Sequence, residues 1–336
     1  MVPYIHLPDL HIGPIPLHPF GILVATGVLV GTGVTTRRAR TLGYDVNKLN
    51  SFVTWMLVTA FVLSHILDSL FYHWDEVVQS PLSILELWKG LSSFGGFLGA
   101  VVGIVLWKYF VIEDGRPRVR VRPVPLLPFA DLVLSVLPLG WALGRAGCAS
   151  VHDHPGAPAS ADTLLAVAYP ACPSQEHTTS FGCIEAVYQR LSILHPRVRC
   201  PDNETVTRLG IVDFIHGHDP RFDLGFLELL FTVILTICFA LTWRRRLPMG
   251  TYVIATALAY SPVRFAMDFL RIPQSDPGGD TRYANMTPAQ WGCIALFLYG
   301  VWMMVYARSL RAKGGDPAEA LRAPSPESGT EAKGIA

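Results

Sequence analysis

Charge is scarce in this chain. Asp, Glu, Lys and Arg make up 16% of its 336 residues, where a soluble domain carries about a quarter. Beside 51% hydrophobic residues and a mean hydropathy of +0.36, that shortage excludes an ordinary soluble fold. Strict apolar/polar alternation is missing too. The apolar runs are continuous, which argues against an outer-membrane barrel and leaves helices as the spanning structure. No glycine-rich phosphate loop or dinucleotide fingerprint occurs. The basic residues are not interleaved with an aromatic platform, so no nucleic-acid partner is expected. The opening MVPYIHLPDLHIGPIPLH has neither a basic run nor an apolar core ahead of the first long apolar segment, so no cleavable signal peptide is expected. Strong zinc spacing is absent as well. Cys148, His152 and His154 lie close together, with His177, His216 and His218 further on, but they match no zinc signature, and no metal or other cofactor is assigned.

What the chain has is a series of apolar runs long enough to cross a bilayer, each needing about 20 residues. About seven are expected, near 18–36, 51–72, 93–112, 124–144, 224–243, 249–270 and 288–307, the fourth interrupted by Pro128 and Pro138. The fold class is an all-α polytopic membrane protein with about seven transmembrane helices and a small periplasmic head. Residues 1–17 form an outer-face segment, 18–144 four helices, 145–222 the head, 223–310 three helices, and 311–336 a disordered cytoplasmic tail rich in Gly, Pro, Ala, Ser and Glu. Four basic clusters fall on alternate sides of these spans: Arg37, Arg38, Arg40 and Lys48; Arg116, Arg118, Arg120 and Arg122; Arg244, Arg245 and Arg246; and ARSLRAK after the last span. One face takes all four, and that face is cytoplasmic. The N-terminus is then outside and the C-terminus inside a bacterial inner membrane.

The head holds Cys148, Cys172, Cys183 and Cys200. On an oxidising face they allow disulfides in three pairings, with Cys148, nearest the membrane, expected to stay unbridged. Cys238 and Cys293 lie in spans and read as packing residues. Asn203-Glu204-Thr205 fits a glycosylation sequon, a pattern too common to use.

Two arginines stand out. Arg145 ends the fourth apolar run, in GRAGC, and Arg264 lies within the sixth, in SPVRFAMDFLR. Arginine at the edge of an apolar span is costly unless it meets an anion, a cavity or the headgroup layer. An anionic lipid headgroup is one reading. The other is structural: Arg145 snorkels to the interface, and Arg264 pairs with Asp268 four residues on. The run His152-Asp153-His154 follows Arg145 and offers imidazoles for general-base work, or is simply a solvated turn before Pro155-Gly156. His65, with Asp68 on the same helix face, is a second candidate base or a buried polar residue bonded across helices. In LWKGLSSFGGFLGAVVG, Gly95, Gly96, Gly99 and Gly103 are spaced for close helix packing, or to let a lipid headgroup approach the backbone.

These pieces, in order, resemble the prolipoprotein diacylglyceryl transferase family from about residue 11 to 310. GPIPLHPFG looks like its opening segment and WKGLSSFGGFLG its glycine-rich motif. GRAGC followed by DHPG is similar to its Gly-Arg-x-Gly-Asn signature, which ends in an acidic residue and a glycine. FLELL carries Glu228, RFAMDFLRIP resembles Arg-Phe-x-x-Glu-Phe-x-Arg, and MTPAQWGC resembles the start of its last span.

The resemblance implies an enzyme that moves diacylglyceryl from phosphatidylglycerol to the lipobox cysteine thiol of a secreted prolipoprotein. A thioether forms and glycerol phosphate leaves. It implies phosphatidylglycerol, a prolipoprotein signal peptide and membrane lipids as partners. Arg145 and Arg264 would hold the phosphate, with Asp153, Glu228 and Asp268 orienting them. Gly95, Gly96, Gly99, Cys148 and Gly156 would line the substrate.

The chain also departs from the family. Phe94 stands where a histidine precedes Gly-Gly, Phe20 replaces a tyrosine, and Cys148 replaces the signature asparagine. His65 takes the place of an arginine, and FDLG at 222–225 replaces His-Pro-Ser-Gln. A rearranged base, drawn from His65, His152 and His154, is therefore expected. The alternatives are transfer to another acceptor, or a phospholipid-binding membrane protein without catalysis.

Overall fold

The computed structural model describes residues 1–312 except 6, 8–9, 13–14, 87–89, 91, 114–115, 121–122, 161, 171–217, 244, 246 and 275–281. Cys172, Cys183, Cys200, the sequon, His177, His216 and the tail from 313 onwards lie outside the described residues. The protein is mostly helical. The helices are α1 (Pro19–Thr41), α2 (Val46–Tyr72), α3 (Trp74–Gln79), α4 (Ser93–Tyr109), α5 (Leu127–Leu134), α6 (Leu137–Val151), α7 (Leu224–Leu241), α8 (Thr251–Met267) and α9 (Pro288–Ala312).

Among the described residues, five helical segments are long and apolar enough to cross a membrane, six if the broken pair α5 and α6 counts as one span. Seven were expected. The difference is α4, whose 17 residues reach roughly 25 Å, short of the ~30 Å hydrocarbon layer. It stops at Phe110, where the chain turns into the hairpin β4 (Phe110–Glu113) and β5 (Arg116–Val119).

Local chemistry sets the ends. Pro19 opens α1, where a missing N–H costs nothing. Asp45 caps α2 by accepting from the amides of Asn47 and Lys48, and Ser92 caps α4 through the amide of Gly95. Asp223 caps α7, its Oδ1 accepting from the Phe226 amide at 2.9 Å. Thr287 and Gln290 form a reciprocal capping box at α9. Gln290 Oε1 accepts from the Thr287 amide at 3.0 Å, and Thr287 Oγ1 accepts from the Gln290 amide at 3.2 Å.

The chain divides into two compact units. One holds residues 1–31, 134–247 and 251–306, the other 32–133, 248–250 and 307–336.

In the second unit α2 and α4 pack through glycine. A Cβ on Gly95 would come within 2.8 Å of Ser64 Cα, and one on Gly99 within 2.7 Å of Ala60 Cα. The stripe repeats every four residues, which lets two backbones meet. Below it lies an aromatic core. Phe52, Trp107 and Phe129 have ring centroids 4.8–5.7 Å apart, and Arg120, one of the topological arginines, donates to the Trp107 and Phe110 carbonyls.

In the first unit the helices carry a four-stranded sheet, which the all-helical expectation did not contain. Its order is β1 (Val2–Pro3), β7 (Ala166–Pro170), β8 (His218–Asp223), β6 (Pro155–Pro158). β1 runs parallel to β7, and β8 antiparallel to both β6 and β7. Strands of two to six residues without a repeating pattern carry too little periodicity to be read from sequence. The short hairpin β2 (Leu10–Ile12) and β3 (Ile15–Leu17) leads into α1.

Candidate functional site

The site lies in the first unit, where the last turn of α6, the first turns of α7, the end of α8 and the start of α9 supply its side chains. Arg145, on α6, donates from Nη2 to Glu228 Oε2 on α7 at 3.0 Å. Its Nη1 reaches Cys148 Sγ, one turn on, at 3.6 Å. Glu228 is buried and takes a second hydrogen bond from Tyr260 of α8, whose hydroxyl donates to Oε1 at 3.0 Å. A charged pair taken out of water persists only if its remaining lone pairs are satisfied, and Tyr260 satisfies one here.

Arg264 sits one turn beyond Tyr260 and pairs with Asp268. The Asp268 carboxylate is fully buried. It also accepts from Arg271 Nε at 2.9 Å and from the Thr287 hydroxyl. The α9 cap is thus tied to the partner of Arg264. Tyr260 lies one turn before Arg264 on α8 and bonds the carboxylate that holds Arg145, so α8 carries one arginine and supports the partner of the other.

The run 152–154 splits into two roles. His152 takes a left-handed backbone, with φ 51°, and ends α6. It is buried, its Nδ1 donating to Asp223 Oδ2 at 2.6 Å and its Nε2 facing the Ile5 carbonyl at 3.1 Å. Tyr4 stacks on the ring at 4.0 Å, and Tyr169 donates to the same Asp223 oxygen at 3.0 Å. Both ring nitrogens are engaged, so His152 is a clamp that joins the N-terminal segment, the sheet and the α7 cap. Burial first, then Asp223, pushes the Tyr4 phenol above its ordinary range. Beyond the left-handed turn, Asp153 and His154 come back beside Cys148 of α6. Asp153, expected beside an arginine, instead accepts from Nδ1 of His154. One ligating atom from each of Cys148, Asp153 and His154 falls within 4.8 Å of the others. Cys148 is buried and unbridged.

Gly156 is a packing position, where a Cβ would meet the Phe222 carbonyl at 2.9 Å, and its own carbonyl accepts from Arg221 at 3.3 Å. Gly225 presses on Cys148, with 3.1 Å between a built Cβ and the cysteine Cβ.

His65, Gly95, Gly96 and Gly99 belong to the second unit. His65 is buried, its ring nitrogens on the carbonyls of Gly90 at 3.1 Å and Ile84 at 3.0 Å, again a clamp with no nitrogen to spare. Gly95 and Gly99 meet the α2 backbone, while Gly96 has room, its nearest neighbour being Ser64 Oγ at 3.7 Å.

Sequence reasoning missed Tyr260, Asp223, Tyr4 and Thr287. Tyr260 had a signal, since it lies four residues before Arg264 on one helix face. Asp223 directly before an apolar run and Thr287-x-x-Gln290 were legible as caps. Nothing in the sequence marked Tyr4.

The model of the prolipoprotein diacylglyceryl transferase family matches residues 9–306. The phosphatidylglycerol--prolipoprotein diacylglyceryl transferases of Proteus mirabilis and Azoarcus are both 24% identical to the chain, over 88% and 90% of it and 90% and 95% of their own lengths. The protein of that name from Synechococcus elongatus is 28% identical over 40% of this chain, and there the chain spans 43% of its length. Across several such relatives the matched part is about half of the protein, 51% in Staphylococcus xylosus and 54% in Rhodopseudomonas palustris. A multi-pass helical chain matched over nearly all its length by this family, with Arg145, Glu228, Arg264 and Asp268 of the resembling motifs gathered in one compact unit, belongs to the prolipoprotein diacylglyceryl transferase family.

Proposed function

We propose that this protein transfers diacylglyceryl from phosphatidylglycerol to the lipobox cysteine of secreted prolipoproteins, releasing glycerol phosphate. The observation that carries the reading is that Arg145 and Arg264, in one compact unit, are each held by a buried carboxylate, the first of which also accepts from Tyr260. Guanidinium groups held in advance bind a phosphate bidentately and stabilise the charge that grows on it as the carbon–oxygen bond breaks. Glu228 and Asp268 fix the two forks, so no reorganisation is left for the moment of reaction. His152 and His65 position the chain. Of the three expected bases, His154 alone is partly exposed, at 37% of its side chain.

The first turns of α7, which carry Glu228, lie at the opposite end of that helix from Arg245. With the basic turns cytoplasmic, the site faces the periplasm.

The test is transfer by purified protein in phosphatidylglycerol vesicles to a lipobox peptide, read by mass. A diacylglyceryl-thioether on the peptide cysteine is expected, falling at least 100-fold in Arg145→Ala and Arg264→Ala. Folded protein that leaves both substrates intact would sink the reading.

A further inference from the structure

We propose that Cys148, Asp153 and His154 hold a zinc ion whose fourth position takes the lipobox thiol as a thiolate. The part played by the thiol rests on the function proposed above; the metal site does not.

The observation is the cluster itself. One sulfur, one nitrogen and one carboxylate oxygen lie within 4.8 Å of one another. Ligands of a tetrahedral zinc ion stand roughly 3.5 Å apart, given bonds of about 2.0–2.3 Å, so side-chain movements of about an ångström, with the Asp153–His154 hydrogen bond opening, admit an ion. Three protein ligands of mixed type with one open position is the pattern of catalytic zinc. The spacing Cys148, Asp153, His154 looks like no zinc signature because a left-handed turn does the assembling. His152 reverses the chain and is pinned there by Asp223. The carbonyl of His154 accepts from the Leu224 amide at 3.0 Å, which fixes the returning segment against α7.

Burial divides the cluster as an open site requires. Cys148 is 7% exposed, whereas the side chains of Asp153 and His154 are 29% and 37% exposed. Gly225 packs against the Cys148 Cβ, and the exposed side chains of the cluster are the carboxylate and the imidazole. Arg145 leans on the sulfur at 3.6 Å while Glu228 neutralises it, so the phosphate-binding arginine touches a zinc ligand.

The chemistry balances. The lipobox sulfur binds zinc and its proton passes to water. A sulfur lone pair then attacks the glyceryl methylene carbon. The carbon–sulfur bond forms as the carbon–oxygen bond to phosphate breaks, and the electron pair leaves on the phosphate oxygen beside Arg145. The thioether is a neutral, weak ligand and departs. A metal that deprotonates a bound thiol outright does the work of a base, in a chain that has Phe94 where the resembling motif carries histidine.

The experiment uses the full chain in nanodiscs. About one zinc per chain is expected by elemental mass spectrometry. At limiting zinc, occupancy should fall at least tenfold in Cys148→Ser, Asp153→Asn and His154→Ala. The latter two change partly exposed groups, so a folding failure in Cys148→Ser does not decide the matter. Cobalt(II) in place of zinc should give a sulfur-to-metal charge-transfer band, which a cysteine lipobox peptide alters and its serine analogue does not. Zinc content unchanged in Asp153→Asn and His154→Ala, or a cobalt spectrum without a sulfur band, would overturn the site. Thioether formation at full rate in metal-stripped protein would overturn its role and leave the transfer reading standing. A cobalt–sulfur spectrum without any transfer would keep the site and remove the transfer reading.

Discussion

Tyr260 and Tyr4 show how differently two buried phenols behave. The Tyr260 hydroxyl holds one oxygen of Glu228 while Arg145 holds the other. Removing it leaves a buried carboxylate short of a donor, at a cost of about 1–3 kcal/mol. Tyr260→Phe should slow transfer roughly 5- to 100-fold with phosphatidylglycerol still bound, and a rate equal to that of the parent chain would show that Glu228 needs no second donor. Tyr4, by contrast, is buried with its hydroxyl lacking a hydrogen-bond partner among the described residues. Tyr4→Phe should therefore be neutral or stabilising by up to about 1 kcal/mol, whereas Tyr4→Ala, which empties the stack on His152, should cost about 3–5 kcal/mol in thermal unfolding. The sign of the pH effect follows from burial and Asp223, which both raise the phenol's titration. The folded chain then resists ionisation that the unfolded chain accepts near pH 10. The stabilisation is complete below that value and is lost as pH rises above it. Parent protein should lose thermal stability above pH 10 more steeply than Tyr4→Phe, and matching slopes would contradict this. Arg145, Arg264, Glu228 and Asp268 were legible because charge in an apolar run is conspicuous. Tyr4 was not, because its importance comes from stacking across 148 positions of chain onto His152.

At the level of elements, the glycine stripe of α4 was visible in the sequence, but its two readings could not be separated there. Packing depends on which neighbour lies opposite, and that is a tertiary fact. Gly95 and Gly99 face the backbone of α2 at distances no Cβ tolerates, while Gly96 faces Ser64 with ordinary clearance. The two classes should respond differently to one methyl group. Gly99→Ala forces α2 and α4 apart and should cost about 1–3 kcal/mol, read as a lower melting temperature in detergent. Gly96→Ala should melt with the parent chain. Equal losses in the two variants would mean that the stripe is not the contact described. The caps at Asp45, Asp223 and Thr287 went unread, although an N-cap needs only a short polar side chain before an apolar run. The small sheet was not, since β1 has two residues and finds its partner at Val167, far along the chain.

For the whole molecule, counting spans by length and counting them by charge give different answers. Length admits five or six spans among the described residues. Charge needs α4 as well, for without it Arg37–Lys48 and Arg116–Arg122 would fall on opposite faces. A helix of roughly 25 Å spans by thinning the bilayer around it, at fractions of a kcal/mol per ångström. Leaving eight positive charges divided between two faces works against the main determinant of orientation. On this ground we propose that α4 crosses as well. On that proposal the basic residues after α7 are cytoplasmic, and the sheet and site ends of the first unit are periplasmic. Ser160 and Arg245 are both exposed, on opposite ends of that unit's helices. Ser160→Cys should react with a membrane-impermeant maleimide in intact spheroplasts above the level of the parent chain. Arg245→Cys should react only after lysis. The reverse pattern would place the arginines on the cytoplasmic face, away from secreted preproteins, and would remove the physical basis for transfer to them.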